Sequence, residues 1–135
     1  MSWDIFVMDL PAVSSVTDIP DDWKGQPLGS RDTIIATIRE VLPHAAFSDP
    51  AWGQIEGATY SIEVNIGHAD PVESFAMHVR GGQEAVALVS RPLERGGWRA
   101  IDSQTGEFFS TATAAQSFGA WRRYRDAVIG DDPPA

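Results

Sequence analysis

"YSIEVNIGHADPVESFAMHVRGG", residues 60–82, decides how the rest of the chain is read. Ile62, Val64 and Ile66 alternate with Ser61, Glu63 and Asn65, the period of a strand with one face toward a core. After a turn at "GHADP", Phe75, Met77 and Val79 alternate in the same way with Ser74, Ala76, His78 and Arg80. Two such runs joined by a short turn predict an antiparallel pair. Directly opposed residues in such a pair share a face. Glu63, Asn65, Ser74, His78 and Arg80 therefore fall on one outer surface, with Glu63 opposite Ala76 or His78 according to register.

Working outward, "SWDIFVMDL" opens the chain as a strand, with Trp3, Ile5 and Val7 on one face and Asp4, Phe6 and Met8 on the other. Both faces are largely apolar, which predicts a central strand covered on both sides. Residues 11–29 show neither helical nor strand period; Ile19, Trp23 and Leu28 are the anchors that would pin so long a loop to the domain. "SRDTIIATIREVLP", residues 30–43, predicts a helix with Ser30 as N-cap, an apolar stripe of Ile34, Ile35, Ile38, Val41 and Leu42, and Pro43 as its stop. "FSDPAWG" reads as a loop, turning at Asp49–Pro50. A strand at "WGQIE" precedes the pair, and a helix at "QEAVALVSR" follows it, stopped or kinked at Pro92. "GGWRAIDS" returns as a strand. A last helix is predicted over residues 113–129, with Phe118, Trp121, Tyr124 and Val128 near one face and Arg122, Arg123 and Arg125 in its second half.

The predicted order is β-α-β-β-β-α-β-α, an α+β fold. Its sheet is mostly antiparallel, with four to five strands and helices packed mainly on one face. The domain spans residues 1–130, with 131–135 as a flexible tail.

Composition narrows the chemistry. The chain has no cysteine, which excludes disulfides, thiolate metal sites and thiol catalysis. No signal peptide and no membrane-spanning stretch is read, so the expectation is a soluble, cytoplasmic protein. Net charge is −9, and residues 1–70 hold 11 acids against 3 bases. Such a field repels nucleic acid and anionic membranes and attracts basic partners.

The opening "MSWDIFVMDLP", together with "FSDPAWGQIEG", "SIEVNIG…DPVESFAMHVRGG" and "AIDSQTGEFF", resembles a small group of uncharacterised bacterial proteins of about this length. The resemblance spans nearly the whole chain. It implies a bacterial single-domain protein and brings no reaction, cofactor or catalytic residue with it.

The candidate acid–base site is the outer face of residues 60–80. There Glu63 would act as a base or histidine partner, His78 as acid or base, and Arg80 as the holder of an anionic group. The same residues also suit cross-strand pairs on a solvated face. A second carboxylate pair, Asp102 with Glu107, flanks a turn that "DSQTGEFF" explains without chemistry. Metal and cofactor sites are not expected: His44, His68 and His78 are the only histidines, and His68 with Asp70 offers two ligands in one turn with no third. There is no G-x-S-x-G elbow and no P-loop. The loop "TDIPDDWKG" suggests a different role. Asp18, Asp21 and Asp22 beside Trp23 suit a protein-binding edge for a basic partner. The leading expectation is a non-enzymatic binding module, immunity or antitoxin-like, with homodimerisation also open. The alternative is a small enzyme at Glu63, His78 and Arg80.

Overall fold

The structure, a computed structural model, describes residues 2–81 and 83–110, and beyond these only Arg123 and Ala127. Apart from those two residues, the predicted last helix and the 131–135 tail lie outside the described residues. Within them the elements run β1 (Trp3–Met8), α1 (Arg31–Val41), β2 (Ala46–Asp49), β3 (Trp52–Glu56), β4 (Tyr60–Asn65), β5 (Ser74–Gly81), α2 (Ala85–Gly96), β6 (Arg99–Asp102) and β7 (Glu107–Phe108), with a 3-10 turn at Val16–Asp18.

The strands form one antiparallel sheet of seven in the order β2-β3-β4-β5-β1-β6-β7. The fold is therefore α+β with an antiparallel sheet, as the alternation implies. The expectation of four to five strands is corrected to seven, because two short strands escape a periodicity reading. β2 is four residues of mostly exposed Ala, Phe, Ser and Asp, and β7 is two residues. The turn at Asp49–Pro50 is real, and Asp49 pairs with Trp52 across it. What precedes the turn is an edge strand rather than a loop.

One sheet face carries the core. Trp3, Ile5 and Val7 of β1, Ile55 of β3, Ile62 and Val64 of β4, and Phe75, Met77 and Val79 of β5 are buried. Ile34, Ile38 and Leu42 from α1 and Ala85, Leu88, Val89 and Leu93 from α2 join them in one cluster. Each fully buried Ile or Leu contributes about 1.5–3 kcal/mol of transfer free energy, so this single face holds the domain together. β1 is interior, between β5 and β6. It is not covered on both sides, however: Phe6, on its second face, is 39% exposed.

α1 starts as its sequence implies. The Ser30 side chain accepts the Thr33 amide at 3.1 Å, and Asp70 Oδ1 accepts the Arg31 amide, also at 3.1 Å. α2 departs from expectation, because Pro92 lies inside the helix and does not stop it. Pro92 and Leu93 are both buried. Gly97, at φ 66°, then closes the end in the left-handed conformation, while Trp98 donates its amide to the Leu93 carbonyl at 2.9 Å. Burial and this C-terminal closure hold the turn that proline alone would break. Arg95 and Glu40 tie α2 to α1 at 2.6 Å, and the carboxylate raises the guanidinium pKa above its ordinary value.

Gly81 ends β5 at φ +106°, and a side chain there would run into the Thr59 carbonyl and the Tyr60 backbone. Gly81→Ala should therefore lower stability by about 2 kcal/mol in urea unfolding. An unchanged midpoint would show that the β4–β5 closure is not built as described.

Candidate functional site

The open face of the sheet is defined by register. Glu63 pairs with His78 across β4 and β5, and His78 pairs with Asp4 across β5 and β1. Gln54 continues this polar row on β3. The neighbouring row runs Trp52, Asn65, Ala76, Phe6, Ile101 and Phe108. A polar row thus lies beside a row that is mostly apolar, both on the face away from the helices.

The candidates Glu63, His78 and Arg80 are neighbours on this face, but they divide into two pairs. Arg80 Nη1 donates to Glu63 Oε1 at 2.8 Å. His78 Nδ1 lies 2.8 Å from Asp4 Oδ1, which also accepts the Ser2 hydroxyl at 2.5 Å. The His78 ring stacks on Trp52, with centroids 6.1 Å apart and planes at 25°. The carboxylate partner of His78 is therefore Asp4, which lies 74 residues away along the chain. Half-exposed pairs of this kind contribute about 0.2–1 kcal/mol each. They orient the face more than they stabilise it.

The second candidate group sits on the 9–29 segment. Asp9 organises its turn: its backbone carbonyl accepts the Trp23 indole N–H at 3.1 Å, and its Oδ2 accepts the Gln26 amide at 2.8 Å. Trp23 is thus pinned by its nitrogen while its ring stays 39% exposed. Asp21 and Asp22 are exposed immediately before it. Asp18 ends the 3-10 turn, whose Ser15 hydroxyl and Val16 amide bind Glu107 at 2.9 and 2.6 Å. Asp18 is held toward β7, apart from the Trp23 turn. The far end of the segment is fastened where the Leu28 amide donates to the Val72 carbonyl at 2.7 Å and the Val72 amide donates to the Gly29 carbonyl at 2.8 Å.

The open face and the Trp23 turn, separate in sequence, adjoin in space. A hollow of about 250 Å³ is lined by Phe6, Met8, Asn65, Ser74 and Ala76 among others. A second, of about 270 Å³, shares Met8 and Ser74 with it and adds Asp9, Trp23 and Glu73. Of the three exposed large hydrophobic side chains among the described residues, Phe6 lines the first hollow and Trp23 the second, while Trp52 pairs with Asn65 further along the open face. Asp9, Asp21, Asp22 and Glu73 make no ion pair among the described residues. Phe6 and Glu73 were not singled out from the sequence; Phe6 lies on the second face of β1 and is 39% exposed.

Other candidates have structural roles. Asp102 is buried, accepting the Trp3 indole N–H at 2.7 Å and the Gln104 amide at 2.8 Å. Glu107 fastens the 3-10 turn, and Asp70 caps α1. His44 Nε2 lies 3.1 Å from the Tyr60 hydroxyl, and His68 is exposed. No group of three or more His, Asp or Glu able to hold a metal ion occurs among the described residues. None of their helices is long and apolar enough to cross a membrane. A cleft of about 410 Å³ lies against α2 and β6, lined by Leu93, Glu94 and Trp98 among others. Comparison with protein-family models, with curated proteins and with solved structures returns no match, so the site stands on its own geometry.

Proposed function

We propose that the chain is a non-enzymatic protein-binding module, acting in the cytoplasm in an immunity or antitoxin-like role, whose open sheet face takes a basic protein partner. The observation that carries this reading is the exposure of Phe6, Trp23 and Trp52, with Asp9, Asp21, Asp22 and Glu73, which make no ion pair among the described residues, on the Trp23 side. Exposed aromatics supply anchor area, and surrounding acids select a partner of opposite charge. A second copy fits less well, because two chains of net charge −9 would bring the same acids together. What favours binding over acid–base chemistry is that Glu63 is already engaged by Arg80 and His78 by Asp4.

The test places a photo-crosslinking phenylalanine analogue at Phe6 and, separately, at Ala87, which is exposed on α2. In the native host, position 6 should form adducts with a basic protein that diminish with added salt, while position 87 forms none. Equal adducts from both positions, or none to another protein from position 6, would remove the reading.

A further inference from the structure

We infer that the residue the partner anchors on this face is an arginine, seated in the joined hollows between β1, β5 and the Trp23 turn. The inference rests on the binding reading above and adds the chemistry of the contact. The lining offers apolar side chains, Phe6 and Met8 from β1 and Trp23 from the turn, beside the polar Asn65 and Ser74. Two acidic residues, Asp9 and Glu73, line the second hollow. Glu73 has no hydrogen-bond or ion-pair partner among the described residues, and Asp9 is oriented by the Gln26 amide at Oδ2 with Oδ1 left over. A flexible stem ending in a flat cation matches that arrangement.

Arginine fits better than lysine for physical reasons. Its guanidinium is weakly hydrated, lies flat against aromatic rings and donates to two acceptors at once, whereas an ammonium is a compact, strongly hydrated charge. The same face already holds one guanidinium in this way. Arg99 lies 3.8 Å above the Phe108 ring centroid while its Nη1 donates to the Pro11 and Val13 carbonyls.

The experiment is an amide and indole NMR titration of the full chain with three capped pentapeptides, Ala-Ala-Xaa-Ala-Ala, where Xaa is arginine, lysine or citrulline. The arginine peptide should move the Trp23 indole N–H and the Met8 and Ser74 amides in a saturable way. The lysine peptide should bind about threefold more weakly and the uncharged citrulline peptide should give no response. Glu73→Gln should weaken the arginine response by about threefold without moving the unfolding midpoint. Equal responses to all three peptides, or shifts confined to the Trp52 end of the face, overturn the arginine anchor but leave the binding face standing. No response anywhere on the face overturns the anchor; if crosslinks from position 6 are missing as well, the binding reading falls with it. Spectra that change on dilution without peptide put a second copy on the face and also overturn the inference.

Discussion

Trp3→Ala should lower the unfolding free energy by about 4 kcal/mol, the largest single-residue effect expected in this chain. Trp3 is fully buried on the core face of β1, an interior strand, and its ring packs 6.2 Å from that of Phe109. Truncation leaves a cavity between the sheet and its covering layer. It also takes the indole donor from Asp102, which is 3% exposed. The two contributions separate with a second variant. Trp3→Phe retains most of the volume and removes the donor, so it should cost about 1–3 kcal/mol. Urea unfolding of both variants checks the division. A Trp3→Ala loss under about 1 kcal/mol would mean that the N-terminal strand is not an interior strand packed against the core.

Exchanging Phe6 and Trp52 together for serine should produce the opposite profile. Both lie in the same cross-strand row on the open face, at 39% and 37% exposure. Because neither fills the core, stability should change by no more than about 1 kcal/mol. Affinity for the partner captured from position 6 should fall roughly 100-fold, the size of a hot-spot pair. Calorimetric titration against that partner, beside an unfolding curve, measures both. Serine leaves the charge unchanged, so the loss would report the aromatic anchors and not the acidic field. A variant that loses stability in step with affinity would instead mark these rings as structural.

The contrast between Trp3 and Phe6 shows what was legible in the sequence. Alternation in residues 60–80 is strong enough to assign faces, and Ile62, Val64, Phe75, Met77 and Val79 are all buried as it implies. It also put Glu63, His78 and Arg80 on one surface. Alternation cannot identify which distant strand lies alongside, so it offers Glu63 as the partner of His78 and leaves Asp4 invisible. In β1 the apolar character of Phe6 and Met8 suggested a covering layer. Hydrophobicity, though, reports only that a side chain is apolar, and does not say whether another layer covers it. β2 and β7 are too short to carry a period. Pro92 was read by its local cost alone, whereas burial and the Gly97 closure outweigh that cost. The Asp21, Asp22 and Trp23 group was visible as composition; its junction with Phe6 required the fold.

Everything proposed for function depends on the second face of β1 being bare. The chain has no cysteine, so single cysteines at Phe6 and Ile5 give a background-free comparison of its two faces. The thiol at position 6 should react with a small maleimide at nearly the rate seen in denaturant, while the thiol at position 5 should be protected by orders of magnitude, opening only with unfolding. Comparable protection at both positions in the dilute, purified protein would contradict the account, because the face assigned to a partner would already be covered.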